Sequence, residues 1–310
     1  MKVEEELAEL SPEKETILTI GVFDGVHLGH RHLLSSLIEQ ARQRDFLSGV
    51  ITFRQHPQDF FSPRNRLPFL TDLEERTGLL INEGIDFVAA LSFTDELARL
   101  SASGFIGLLQ KYLKMRGLVI GPDFALGRKR EGDIASLRKL GQETGFSITV
   151  VPPLVVNGEV ASSTSIRKAL ADGDAARVCK LSGRPFDLHG KVIAGAGRGA
   201  GLGFPTANME INQEQAIPAD GVYACWANID GKAYESLANI GTCPTFNGTE
   251  RTVEAYIVDY VGDLYGQELR IDFVERLRGE KKFGSVEELK KQMAEDVRKG
   301  KSILDAGSCA

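Results

Sequence analysis

Short apolar runs alternate with stretches of helical periodicity along the first half of the chain. Residues 17–23, 49–53, 86–91, 117–121 and 147–151 read as strands. Between the first two, Leu33, Leu34, Leu37, Ile38 and Ala41 fall on one face of a helix. Thr71 and Glu74 have capping-box spacing ahead of Leu79 and Leu80, and Gly141 stands where a helix C-cap belongs. The alternation predicts a doubly wound parallel sheet with helices on both faces. Ligands of such sheets sit at the carboxyl ends of the strands.

Beyond about residue 171 the rhythm changes. The string ADGD at 171–174 reads as a boundary turn, followed by a helical connector to about Leu181. Shorter runs punctuated by Gly and Pro come next, at 191–194, 222–229, 233–240, 253–260 and 269–276. Asp230-Gly231 between two of them marks a type I′ hairpin. Ser285 and Glu288 open a last helix, with Val286, Leu289, Met293 and Val297 on one face. This half predicts a small antiparallel β-barrel with a terminal helix, giving an α/β domain followed by a β domain. A chain of 310 residues accommodates two domains at roughly 100–200 residues each.

Composition narrows the partners. Lys and Arg number 37 against 43 Asp and Glu, a net charge of -6. That balance argues against nucleic acid, whose binding draws on basic patches. A phosphate-rich ligand has to be held by local features instead. No apolar run approaches the ~20 residues of a membrane span, and residues 1–10 lack the basic-then-apolar order of a secretory signal. No membrane partner is expected. Cys179, Cys225, Cys243 and Cys309 form no CxxC pair, which points to reduced thiols in a cytoplasmic protein rather than a disulfide scaffold or zinc module.

Three of the five histidines fall in the string GVFDGVHLGHRH at 21–32, which follows an apolar strand and opens a helix. Backbone N–H groups at a helix start, with the helix dipole behind them, favour anions. Gly21, Gly25 and Gly29 let the backbone turn and approach a ligand. His27 and His30, three residues apart, can face one side and donate to phosphate oxygens. A zinc site would need more ligands than Asp24 adds.

The HxGH pattern in that position is the mark of the nucleotidylyltransferase superfamily. The fuller string resembles the bacterial bifunctional riboflavin kinase/FMN adenylyltransferases (FAD synthetases). Four further segments agree: TFRQHP at 52–57, GPDFALG at 121–127, SSTSIR at 162–167, and GFPTAN at 203–208, the last similar to the flavokinase motif. The resemblance runs from about Thr16 to the terminal helix.

The resemblance implies a nucleotidylyltransferase-like, Rossmann-type domain at 1–183 and a riboflavin kinase domain at 184–310. In the first, the FMN phosphate attacks the α-phosphate of ATP, giving FAD and pyrophosphate. An ionised phosphate needs no general base, so positioning and charge neutralisation suffice. His27 and His30 would act on the triphosphate, within an ATP site drawn from Gly21, Phe23, Asp24, Gly29, Asp123, Ser163, Thr164 and Arg167. Thr52, His56 and Pro57 would line the flavin side, although His56 before a proline can equally shape a loop. Asp123 after Pro122 can equally be a turn residue, and Ser163-Thr164 a plain helix cap.

In the second domain the riboflavin 5′-hydroxyl takes the γ-phosphate of ATP and benefits from a base; Glu254 matches the family's position. Thr206 and Asn208 would complete a Mg²⁺ shell that contains ATP phosphates. Gly195, Gly201 and Gly203, in a loop with five glycines from 195 to 203, would cradle phosphate, and Arg278 and Phe283 would cover the flavin. The chain departs from the family's pattern at Val160, Ala200 and Tyr256, and at Cys243, which is expected to be a small buried thiol. The basic run Arg128, Lys129, Arg130 can compensate for Val160 or be a solvated loop. The expected protein is a cytoplasmic monomer or weak homo-oligomer that uses ATP, riboflavin and FMN. Retention of only one activity, or a flavin or nucleotide sensor without turnover, are the alternatives.

Overall fold

Every residue of Thr16–Ile20 is buried, as a central parallel strand covered on both faces must be. A computed structural model describes residues 3–307 except 63, 65, 196–198, 200, 202, 246 and 247, and leaves the side chains of 243–250 undescribed. Its two compact units are Met1–Ser162 and Ser163–Ala310.

The first unit runs α1 (Val3–Ala8), β1 (Thr16–Ile20), α2 (Leu28–Gln43), β2 (Leu47–Phe53), α3 (Pro57–Phe61), α4 (Leu73–Asn82), β3 (Phe87–Leu91), α5 (Asp95–Arg99), α6 (Ala102–Leu113), β4 (Met115–Ile120), α7 (Ile134–Thr144), β5 (Ser147–Val150), and a small hairpin of β6 (Val155–Val156) and β7 (Glu159–Val160). Five parallel strands lie in the order β3-β2-β1-β4-β5. Alternation splits β1 between two cores. Leu18 and Ile20 pack with Phe105, Ile106 and Leu109 of α6, and Ile17 packs with Leu34 and Leu37 of α2 and Leu80 of α4. The doubly wound sheet is thus the one the sequence pattern predicts.

Two helix ends differ from expectation. Asp72, not Thr71, is the N-cap of α4, accepting from the Glu75 N–H at 2.8 Å. Asx side chains reach the third amide readily, which releases Thr71 for another contact described below. Gly141 lies inside α7, whose C-cap is Gly145 in the left-handed region. A Cβ on Gly141 would stand 2.5 Å from the Phe146 carbonyl oxygen, so close packing rather than capping explains that glycine.

The second unit begins with α8 (Ser163–Asp172) and α9 (Ala175–Ser182). The turn between them is the predicted one, with Asp174 capping α9 through the Arg177 N–H at 2.9 Å. The barrel strands are β8 (Phe186–Ile193), β9 (Ala207–Glu210), β10 (Gly221–Ile229), β11 (Lys232–Thr245), β12 (Gly248–Ile257) and β13 (Glu268–Arg278), closed in the order β10-β11-β12-β9-β8-β13. Asp230 and Gly231 both take positive φ, 49° and 76°, as a type I′ turn between paired Ile229 and Lys232 requires. The terminal helix α10 (Val286–Asp305) starts at Ser285, which accepts from Glu288 N–H. Beneath it lie Val222, Ala224, Leu237, Val274 and Leu277 on the outer wall of the barrel.

Sequence patterning misses β9, because GFPTAN has no apolar alternation. The expectation of reduced thiols needs a correction: Cys179 is disulfide-bonded. Cys225 is a free thiol wholly inside the barrel, where burial pushes its pKa far up. Cys309 and Ala200 fall outside the described residues, as does the side chain of Cys243.

Candidate active sites

After β1 the chain turns sharply at the carboxyl end of the sheet. Phe23 and Val26 adopt positive φ, 55° and 34°, a costly geometry for such residues. Burial of both side chains, at 4% and 1% exposure, holds them there. The buried Asp24 carboxylate accepts the backbone N–H groups of Leu70 at 2.9 Å and Thr71 at 3.1 Å. The Thr71 hydroxyl in turn accepts the Gly25 N–H at 3.0 Å. Asp24 therefore pins the start of α4 to this turn. Gly21 extends the β1 register by donating its N–H to the Ile51 carbonyl at 3.0 Å.

His27 is the N-cap of α2. Its Nδ1 accepts the His30 N–H at 3.3 Å, which leaves the ring proton of the neutral form on Nε2. The two imidazoles stack, with centroids 3.7 Å apart and planes 19° from parallel, and the Phe23 ring lies 5.0 Å from His30. His30 Nδ1 is enclosed without a hydrogen-bond partner among the described residues. Burial, then His27 and then Arg76 hold the His30 pKa well below its ordinary value. A Cβ on Gly29 would stand 2.4 Å from the Ala161 carbonyl oxygen, so only glycine admits that segment against the first turn of α2.

Around this turn the Thr52 hydroxyl donates to the Val22 carbonyl at 2.9 Å. His56 caps α3, accepting the Gln58 N–H at 3.1 Å, with Pro57 at the first helical position. An aromatic cluster follows: Phe93 lies 5.5 Å from Phe53, 5.5 Å from Phe60 and 5.7 Å from Phe61. Phe61 is 66% exposed. Asp123 is exposed just past β4, and its carbonyl accepts from Arg130 at 2.9 Å. Arg128 pairs with Glu131 at 3.3 Å, so two of the three basic side chains in this run are engaged locally. Val160 is exposed on β7.

In the second unit, Ser163 and Thr164 are the first residues of α8 and Arg167 follows one turn later, half-buried. The helix is held by its buried face of Ile166, Ala169 and Leu170. Its first amides have no partner within the helix, as at any helix start.

A cavity of about 480 Å³ opens between the barrel wall and α10, lined by Thr206, Glu254, Tyr256, Arg278, Phe283 and Asp296 among others. Strand alternation explains the placement: Val253, Ala255 and Ile257 are buried, and Glu254 and Tyr256 turn to the cavity. Glu254 stands opposite Asn208 on β9 and Asn239 on β11. The Thr206 hydroxyl donates to Glu254 Oε2 at 3.4 Å. A Cβ on Gly195 would fall 1.9 Å from the Asn208 amide nitrogen, so that loop lies directly on Asn208. Gly201 and Gly203 are exposed, and Gly199 accepts the Phe204 N–H at 3.0 Å. Arg278 is half-buried, ion-paired to Asp296 at 2.8 Å, with its guanidinium 5.7 Å from the Phe283 ring.

Sequence reading missed Asn239, Arg76 and Asp296. Asp296 carried a visible signal, a lone carboxylate among Met293 and Val297 on an apolar helix face. Asn239 becomes legible only once strand register is known.

Comparison with known proteins agrees with this geometry. Residues 10–165 match the FAD synthetase family model and residues 182–304 the riboflavin kinase model. The chain is 39% identical over 288 residues to the bifunctional riboflavin kinase/FMN adenylyltransferase of Escherichia coli K12, covering 92% of each chain. To the protein of that description from Pseudomonas fluorescens it is 36% identical over 300 residues, covering 96% of each. A solved chain from Streptococcus pneumoniae, described as a macrolide-efflux protein, superposes with a TM-score of 0.86 at 30% identity, covering 93% of this chain and 94% of that one. Efflux is said of that protein; here no helix among the described residues is long and apolar enough to cross a membrane. Two domain models in sequence and near full-length identity place this chain in the bifunctional riboflavin kinase/FMN adenylyltransferase family.

Proposed function

We propose that the chain makes FAD in two ATP-dependent steps, phosphorylating riboflavin to FMN in the barrel and adenylylating FMN at the parallel sheet. The observation that carries this reading is that each unit holds its own polar cluster. The stacked His27 and His30 lie at the strand ends of one unit, and in the other Thr206, just before β9, joins Asn208 and Glu254 on the paired strands β9 and β12.

In the barrel, Glu254 takes the proton of the riboflavin 5′-hydroxyl as its oxygen attacks the γ-phosphate; Thr206, 3.4 Å away, orients that carboxylate. The hydroxyl of Thr206 and the amide oxygen of Asn208 are hard neutral donors beside a carboxylate, a set that fits Mg²⁺. When bound there with ATP, Mg²⁺ supplies charge neutralisation at the phosphates. Gly195 keeps the loop close upon Asn208, and the backbone of Gly201 and Gly203 contributes phosphate donors. Arg278 and Phe283 cover the flavin ring.

At the sheet, an FMN phosphate oxygen bonds to the α-phosphorus of ATP as the bond to pyrophosphate breaks. His27 and His30 donate neutral N–H groups to the phosphates, and Phe23, Gly21 and Asp24 shape the turn that presents them. The family pattern gives Ser163, Thr164 and Arg167, at the start of α8, a phosphate-binding role. On this reading the functional adenylyltransferase part extends to residue 183 and the kinase part covers 184–310. Asp123 lies on the nucleotide side. Thr52, His56 and Pro57 build the flavin side, with the rings of Phe60 and Phe61 as stacking surface. ATP as donor in both steps supports a cytoplasmic location, and small molecules as partners need no more than a monomer or weak homo-oligomer.

Incubation of the protein with riboflavin, ATP and Mg²⁺, followed by chromatography of the flavins, tests the reading. FMN and then FAD are expected. FMN alone would leave a kinase, and neither product would overturn both assignments.

A further inference from the structure

A carboxylate near the start of the chain reaches the strand ends of the first unit. Helix α1 packs on α6 and β3, with Val3 and Leu7 buried in the core that holds Leu97, Phe105 and Leu109. Glu6 on this helix is only 8% exposed. Its Oε2 accepts the Ser92 N–H at 3.0 Å, and its Oε1 accepts the Ser92 hydroxyl at 2.7 Å. Oε1 also lies 3.9 Å from Nε of Arg54. Packing α1 onto the core would be served as well by an apolar side chain, since a buried charge recovers little more than its desolvation cost. The carboxylate calls for another reason.

What it holds supplies one. Ser92 is the first residue after β3 and Arg54 the first after β2. The Arg54 N–H donates to the Leu91 carbonyl at 2.9 Å, which joins the two strand ends. Each of these residues adjoins a ring, Phe93 after Ser92 and Phe53 before Arg54. The two rings meet edge to face, with planes at 83°. Phe93 is also the ring on which Phe60 and Phe61 rest, at 68° and 72°. Phe53 is tied from the other side by Arg76 of α4, 5% exposed, which donates to its carbonyl at 2.8 Å. Phe93 is tied next door, at Ser92, by Glu6. One carboxylate thus fixes the backbone step that carries the central ring of the cluster.

We propose that Glu6 is a positioning residue of adenylyl transfer, which holds Ser92 and through it sets Phe93 beneath the rings of Phe60 and Phe61 that stack on the flavin of FMN. This rests on the reading of those rings as the flavin side. Ring stacking depends on offset and tilt, and a ring that has to be ordered on binding lowers affinity. The effect falls on FMN rather than ATP, because Glu6 acts after β2 and β3 while the triphosphate is met at the turn after β1.

The test measures FMN adenylylation by the full chain, with FMN and ATP varied in turn. Glu6→Ala is expected to raise the KM for FMN about tenfold, the worth of roughly one hydrogen bond to a charged group. The kcat and the KM for ATP should stay close to wild type, a split that general loosening of the unit would not give. Glu6→Gln keeps an acceptor for the Ser92 N–H and a donor to the Ser92 hydroxyl, and should retain most of the affinity. Ser92→Ala leaves α1 untouched, removes one of the two bonds, and should raise the KM for FMN by less. Riboflavin phosphorylation, the reaction of the other unit, should not change in any of them. An unchanged KM for FMN in Glu6→Ala, an equal rise for both substrates, or a Gln variant as impaired as the Ala variant would overturn the proposal. If Glu6→Ala does not fold, an unchanged KM for FMN in Ser92→Ala overturns it instead. Phe61→Ala and Phe93→Leu separate the two levels of the argument. If they raise the KM for FMN and Glu6→Ala does not, the role of Glu6 alone falls; if they leave it unchanged, the flavin-side reading falls and the proposal with it.

Discussion

Arg278 and Asp296 form a two-pronged ion pair across the wall of the barrel cavity, with nitrogen–oxygen distances of 2.8 and 3.0 Å. Gln292, one turn earlier on α10, donates a further bond to the same carboxylate at 3.0 Å. The pair fixes the guanidinium that lies beside Phe283, joining the last strand to the last helix. Asp296→Ala leaves the half-buried Arg278 without its anion. Removing one partner of a buried pair costs about 3–5 kcal/mol, and less where, as here, the guanidinium is partly exposed. Urea unfolding should show that loss, and kinase assays should show a raised KM for riboflavin with FMN adenylylation unaffected.

Glu254→Gln keeps the size of the side chain and removes the base. FMN formation from riboflavin should fall by about 10²–10⁴-fold. FMN supplied directly should still become FAD. Parallel assays with each flavin separate the two, and loss of both would contradict the assignment of the reactions to different units.

His27→Asn separates structure from chemistry at the sheet. Asparagine caps helices well, so α2 should lose no more than a few tenths of a kcal/mol. The ring that stacks on His30 is gone, and FAD formation should drop steeply at unchanged thermal stability, as a melting curve beside an adenylylation assay would show.

Gly195→Ala directs a methyl group to within 1.9 Å of the Asn208 amide. Backbone and side chain must part, and the Mg²⁺–ATP site should loosen. The kinase KM for ATP should rise about tenfold, equivalent to ~1.4 kcal/mol, while adenylylation keeps its value.

The depressed pKa of His30 makes stability depend on pH. In the unfolded chain His30 binds its proton near 6.5, whereas in the folded chain it does so only well below that. The unfolded state therefore holds more protons between the two values, and stability falls as pH is lowered through 6.5. Melting temperatures from pH 7.5 to 5 should decline, and His30→Gln should flatten the slope.

Much of this was legible in residue order. Strand and helix alternation told the sheet, Asp230-Gly231 told a hairpin, and GVFDGVHLGH and GFPTAN marked the two clusters. What stayed hidden depends on distant partners. Thr71 has the spacing of a cap, yet Asp24, 47 residues away, and Gly25 claim it. Asp24 looks like a ligand group and spends its oxygens on backbone amides. Arg76 reads as an ordinary helix charge until its burial is known.

The closed barrel carries a consequence for synthesis. Its first strand, β8, pairs with its last, β13, matching Leu188 with Ile271, so no ring exists until residue 278 has been made. The parallel sheet completes its last pairing, Ile120 with Val150, far earlier. On the ribosome the half that consumes FMN is thus assembled before the half that produces it. The nascent barrel meanwhile exposes open strand edges, the usual route to aggregation, which closure by β13 ends.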